Sequence, residues 1–159
     1  MALKIQKMDR LSAAARSALM SRIGQANTSP ERRVRRILHR NGLRFRLHRR
    51  DLPGTPDIVL PSRLTAIFVH GCFWHQHKGC RRASLPSTNP EKWRDKFERN
   101  VARDAAAYAA LGELGWQVIV VWECELKNEA ALERSLRDRF TLPDNAKRLE
   151  SGASTLDIP

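Results

Sequence analysis

Residues 57–70 read DIVLPSRLTAIFVH. Two apolar runs, rich in Val, Ile, Leu and Phe, are parted by the short polar break Ser62-Arg63, which predicts an antiparallel hairpin. With its centre near that break, position 57 stands opposite position 68. Asp57 therefore meets the Phe68-Val69-His70 segment at one end of a sheet. The turn LPGTP before Asp57 holds it rigidly, through two prolines that fix φ and a glycine that permits the bend.

Outward from the hairpin, both flanks alternate between helix and strand. LRFRLH (43–48) alternates strictly, as a half-buried strand does. Before it, Ser29 as N-cap, Pro30 at the first helical position, Glu31 in the first turn and Gly42 past the end punctuate a helix with a Val34, Ile37, Leu38 stripe. Residues 9–23 predict an earlier helix that stops at Gly24. After the hairpin, Asn89 and Pro90 start a long helix to about Leu114, with a stripe of Trp93, Phe97, Val101, Ala105, Tyr108 and Leu111. WQVIVVW (116–122) reads as a central strand buried on both faces, and Leu132, Leu136 and Phe140 mark a last helix over about 128–140. The pattern is α/β. Residues 1–142 form one domain, of which 1–27 are a basic helical arm, and 143–159 are a loose tail.

The 159 residues carry a net charge of +12, unevenly placed. Residues 1–50 hold 14 of the 29 Lys+Arg but only 2 of the 17 acids. Clustered cations gain free energy by releasing counterions from a polyanion, so nucleic acid is the expected partner. No apolar run reaches the roughly 20 residues needed to span a bilayer. The first 24 residues have the composition of a transit peptide, and equally that of a helix lying on DNA.

The stretch VHGCFWHQHKGC (69–80) concentrates the chemistry. Three cysteines without disulfide spacing, two of them among histidines, point to a metal in a reducing compartment. Cys72, Cys80 and a histidine of this loop, with Cys124 after the last strand, make a tetrahedral zinc set that staples the loop to the core. Spacing does not choose between His75 and His77. Asp57, with His70 across the hairpin, supplies a carboxylate for a divalent cation and an imidazole for proton transfer, as phosphodiester hydrolysis needs. A turn aspartate bonding its own backbone is the plain alternative. Glu31 is either a second carboxylate or an acid favoured by the helix dipole. Phe73 and Trp74 are either a satellite core beneath the loop or an apolar wedge for base steps.

Asp57 in LPGTPD, FVHGCFWHQH (68–77), Trp93 in EKW, NVARD (100–104) and ELGWQVIVVWEC (113–124) together resemble the very-short-patch-repair (Vsr) mismatch endonucleases. RSALMSRI and TSPERRV fit as well, so the resemblance runs from about Asp9 to Phe140. It implies a restriction-endonuclease-like mixed central sheet flanked by helices, with a zinc-stapled loop. It also implies nicking of one DNA strand beside a T:G mismatch left by 5-methylcytosine deamination. By the resemblance, Cys72, His77, Cys80 and Cys124 hold structural Zn²⁺, and Asp57 with the Val69 carbonyl holds catalytic Mg²⁺. His75 activates water, His70 contacts the scissile phosphate and Glu31 bonds water around the metal. Phe73, Trp74 and Trp93 match the intercalating aromatics, and Met20, Arg16 and Arg22 lie in the helix that the family lays on DNA.

Two departures stand out. Val69 replaces a common threonine, which leaves a carbonyl ligand but no hydroxyl. Lys78-Gly79 lengthens the interval between His77 and Cys80, and both ligands can still reach one metal. The resemblance further implies a bacterial cytoplasmic monomer that acts on duplex DNA, is nucleoid-associated when bound, does not use a membrane, and has downstream repair proteins as candidate partners. Two other readings compete: an endonuclease for a restriction-type site, and a zinc-stabilised DNA-binding protein without activity. Binding alone requires neither Asp57 nor the two histidines His70 and His75.

Overall fold

A computed structural model describes residues 26–141. Its elements run α1 (Ser29–Arg40), β1 (Arg46–Leu47), β2 (Ile58–Leu60), β3 (Thr65–His70), α2 (Pro90–Glu113), β4 (Gln117–Trp122) and α3 (Glu129–Thr141), with 3-10 turns at Pro61–Arg63 and Glu123–Lys127. The predicted arm helix, with Arg16, Met20 and Arg22, lies outside the described residues, as does the tail. No helix among the described residues is long and apolar enough to cross a membrane.

The strands form one sheet in the order β1-β2-β3-β4, antiparallel except for the parallel β3–β4 pair. Ile58 faces Ile67 and Leu60 faces Thr65, so the hairpin has the register its sequence predicts and Asp57 falls opposite Phe68. β1 keeps only two exposed residues of the expected strand 43–48. Leu43 and Phe45 pack on the core before pairing begins.

Period-two alternation sends the side chains to two cores. On one face, Ile58, Leu60, Ile67, Ile119 and Val121 pack against Val34, Ile37 and Leu38 of α1 and Leu132 and Leu136 of α3. On the other, Val59, Ala66 and Phe68 meet Leu52 and Leu111, with Tyr108 and Trp116 against them. This mixed α/β sheet, flanked by helices on both faces, is consistent with a restriction-endonuclease-like fold. β4 ends the strand order and is half-buried, with Ile119 and Val121 inward. It is therefore an edge strand, not a central one as predicted, because no further strand among the described residues pairs with it.

Three local devices position the site. α1 is capped by Thr28, one residue before the predicted Ser29. The threonine accepts from Glu31 N–H and the glutamate accepts from Thr28 N–H, a capping box that Ser29 could not close with Glu31. The box turns the Glu31 carboxylate inward, and the residue is buried. Gly54, at φ +72°, lies so close to α2 that a Cβ there would stand 2.6 Å from that of Ala107. The LPGTP turn is thereby pressed against α2. The α2 stripe also differs from its prediction. Phe97, Ala107 and Leu111 are buried, whereas Val101 and Ala105 are exposed and Asn100 and Asp104 are turned partly inward. A run of four-residue steps drifts around a helix that repeats every 3.6 residues. The inward positions at mid-helix are consequently polar.

Candidate active site

Asp57 precedes β2, and its Oδ2 accepts from the Val69 N–H at 2.7 Å. The carboxylate therefore reaches across the hairpin to the neighbouring strand and does not fold onto its own turn. Burial pushes it up to about 6; the Val69 N–H opposes this and the nearby Glu31 charge adds to it. A carboxylate this desolvated calls for a cation beside it. Glu31, His48 and Asp57 each offer a ligand atom, and the three atoms lie within 4.8 Å of one another.

His70 ends β3, and His75 follows in the loop. Their rings stack with centroids 3.6 Å apart and planes 11° apart. His75 Nδ1 lies 2.5 Å from Asp104 Oδ2 on α2, so the carboxylate holds the Nδ1–H tautomer and leaves Nε2 as an acceptor. His70 Nε2 lies 2.5 Å from the Tyr108 hydroxyl. Burial, with the charges of His75 and Arg103, brings His70 down to about 3, so it is a neutral ring. Tyr108 is raised by burial and by Asp104 and stays a protonated phenol.

His77 turns the other way. Its Nδ1 lies 3.6 Å from Cys72 Sγ and 3.3 Å from Cys124 Sγ, and its ring stacks on Trp122. Cys72, His77, Cys80 and Cys124 bring one ligand atom each within 4.8 Å of the others. Three sulfurs and one imidazole are the donor set of a tetrahedral zinc site. Burial pushes the Cys72 thiol up to about 12, whereas the Arg82 backbone N–H lowers Cys80. Arg82 also pairs with Glu123 at 3.0 Å, beside Cys124, which ties the loop to the strand end.

Phe73 and Trp74 leave the loop together toward α2. Phe73 meets Phe97, Trp93 and Trp74 edge-on at centroid distances of 5.1, 5.4 and 5.1 Å. Lys96 lies over both tryptophan rings, 4.7 Å from Trp74 and 5.6 Å from Trp93. Asn100 donates to the Trp74 carbonyl and anchors the turn. The aromatics thus form a satellite cluster in which only Phe97 is fully buried.

Sequence reasoning missed Asp104, Tyr108 and His48. Asp104 and Tyr108 carried a signal: with Asn100 they stand at four-residue spacing on one helix face. His48 carried one too, as the residue that the register of β1 on β2 sets beside Asp57.

A buried carboxylate and paired imidazoles at the open end of an α/β sheet, next to a basic helix, are the parts of a DNA-cleaving endonuclease. Comparison with known proteins narrows the class. Residues 8–82 match the sequence profile described as DNA mismatch endonuclease Vsr. The type II nicking enzyme V.XorIIP of Xanthomonas oryzae pv. oryzae is 55% identical over 130 residues, covering 82% of this chain and 95% of that protein. The DNA mismatch endonuclease Vsr of Escherichia coli is 41% identical over 128 residues, covering 80% of this chain and 81% of that protein. The type II nicking enzyme V.NmeAIP of Neisseria meningitidis is 41% identical over 121 residues, covering 76% of this chain and 86% of that protein. The chain belongs to the Vsr family of DNA endonucleases.

Proposed function

We propose that the chain nicks one strand of duplex DNA beside a T:G mismatch, by Mg²⁺-assisted hydrolysis of a phosphodiester, as the incision step of very short patch repair. The observation that carries the reading is the Asp57 carboxylate, tied to Val69 N–H within the same strand end that bears the His70–His75 stack. Oxygen donors at Asp57 and the Val69 carbonyl suit a hard cation. Bound there, Mg²⁺ supplies positive charge to the phosphoryl oxygens and the leaving oxygen.

The remaining work falls to side chains. His75, oriented by Asp104, takes a proton from water at Nε2. His70 is held neutral beside Tyr108 and contacts the scissile phosphate. Glu31 keeps solvent ordered next to Asp57. Zn²⁺ held by Cys72, His77, Cys80 and Cys124 stiffens the loop that carries both His75 and the aromatics. Phe73, Trp74 and Trp93 then open the base step at the mismatch, and Arg16, Met20 and Arg22 of the N-terminal arm hold the duplex.

One assay tests the reading. The full chain with Mg²⁺ is incubated with two duplexes that differ by a single T:G pair, and the assay is repeated with Asp57→Ala. Nicking confined to the mismatched duplex and lost in the variant is expected. Equal cutting of both duplexes overturns mismatch selection. A second reading, nicking at a restriction-type sequence, draws on relatives named type II nicking enzymes. It predicts that same equal cutting, in one sequence context only.

A further inference from the structure

His48 is not among the residues that the proposed mechanism uses, yet it faces the carboxylates that the mechanism depends on. Leu47 pairs with Ile58, and one step further His48 N–H donates to the Asp57 carbonyl at 3.3 Å. The residue sits at φ 46°, a region unfavourable for any residue with a side chain. This turn brings the imidazole beside Glu31 of α1, with Nε2 3.6 Å from Oε2.

A tethered cation already occupies the cluster. Arg35 Nη2 lies 2.8 Å from Glu31 Oε2 and 3.1 Å from His48 Nε2. A guanidinium only donates, so His48 Nε2 accepts. The Nε2 lone pair is then aimed into the cluster. Arg35 Nη1 also donates to Asn27 Oδ1 at 2.8 Å, whereas its Nε is buried and finds no acceptor among the described residues. Beside it lies an open groove of about 420 Å³ lined by Ser29, Arg32, Arg35 and Arg36.

We propose that His48 Nε2 is a direct ligand of the cation held by Asp57, so that the site accepts the Mg²⁺ of the proposed reaction and binds Mn²⁺ more tightly. The proposal rests on Asp57 being the metal ligand. Its physical basis is donor type. Mg²⁺ demands oxygen ligands and keeps its water, whereas imidazole suits the later divalent ions. Arg35, which already bonds Glu31 and His48, is the competitor that the ion displaces.

The test uses the zinc-loaded full chain, titrated with MnCl₂ and with MgCl₂ by calorimetry, together with pulsed electron paramagnetic resonance of the Mn²⁺ form. The unaltered chain is expected to bind Mn²⁺ at least about tenfold more tightly than Mg²⁺ and to show a directly coordinated imidazole nitrogen. His48→Gln should lose that nitrogen coupling and about tenfold in Mn²⁺ affinity, with Mg²⁺ affinity changed less than about twofold. Persistence of the coupling in His48→Gln overturns the proposal. Its absence from the unaltered chain, or equal affinity there for the two ions, does so without any variant. Asp57→Asn separates the two layers of the argument. Undiminished Mn²⁺ binding in Asp57→Asn overturns Asp57 as the ligand and His48 with it. Binding lost in Asp57→Asn but unchanged in His48→Gln removes only His48.

Discussion

The ring of His70 lies flat on that of His75, with centroids 3.6 Å apart, and the two rings are held by different groups of one helix. Asp104 takes His75 and Tyr108 takes His70. Under the proposed mechanism the pair divides the labour between His75 as proton acceptor and His70 as a ring kept neutral. Asp104→Asn should remove the tautomer control while leaving the packing in place. Single-turnover nicking is expected to fall by about 10²–10⁴-fold, the range for loss of a general base or its orienting carboxylate. Affinity for the mismatched duplex should change less than about threefold. A matching loss in binding would make Asp104 a structural residue.

Asp57 and His70 give opposite pH dependences to the stability of the zinc-loaded, magnesium-free protein. Asp57 is raised from 3.8 to about 6, so its contribution is fully present below pH 3.8 and is lost as pH rises through about 6. The loss amounts to about 3 kcal/mol. His70 is lowered from 6.5 to about 3; its contribution is present above pH 6.5 and is lost as pH falls toward 3. Between pH 3.8 and 6 the two slopes oppose. Asp57→Asn should accordingly be more stable than the unaltered chain at pH 7.5, by up to about 3 kcal/mol, with the gap closing near pH 4. Urea unfolding at the two pH values checks it, and a gap that does not vary with pH would sink it.

How much of this was legible follows from which physical rule governed each residue. The hairpin register was legible, because the Ser62-Arg63 break fixes a centre and period-two pairing does the rest, which put Asp57 opposite Phe68. The choice between His75 and His77 was not, since a loop obeys no period. In three dimensions His75 lies against Asp104, and His77 against Cys72 and Cys124. The α2 face was misread because apolar residues were followed in steps of four past Phe97, to Val101 and Ala105. The inward positions there are Asn100 and Asp104, whose side chains bond the Trp74 carbonyl and His75, so polar contacts override hydrophobic patterning. β4 was misjudged for a different reason: an apolar run reports that a strand is covered, not where the sheet stops.

Removal of a metal from the cysteine cluster should loosen the loop and its neighbours together. Cys72, His77 and Cys80 share one loop, and Cys124 follows β4, so the cluster closes a long segment of chain against the core. A strong zinc chelator should lower the melting temperature and abolish nicking even with Mg²⁺ in excess, because the stiffened loop carries His75. Cys124→Ala should reproduce the effect without chelator. A melt indifferent to chelation would leave the cluster a set of packed thiols.

The aromatic cluster makes the last prediction a separation of two roles that adjacent residues share. Phe73 has Phe97, Trp93 and Trp74 edge-on around it, so truncation removes contacts on three sides. Phe73→Ala should cost about 2–3 kcal/mol of stability, below the full value for a wholly buried phenylalanine because the ring is half-buried. Trp74 lies at the rim, with Lys96 over its ring, and exposed cation–π contacts are worth only about 0.5–1 kcal/mol. Trp74 also packs on Phe73 and Trp93 and is half-buried, so Trp74→Ala should cost about 1–3 kcal/mol. Its effect on binding should fall on discrimination: the preference for a T:G duplex over its matched twin should drop at least about tenfold while matched-duplex affinity holds within about threefold. Urea unfolding and paired binding titrations measure the two effects separately. Unchanged discrimination in Trp74→Ala would return the residue to the satellite core, leaving Trp93 as the remaining candidate wedge at that rim.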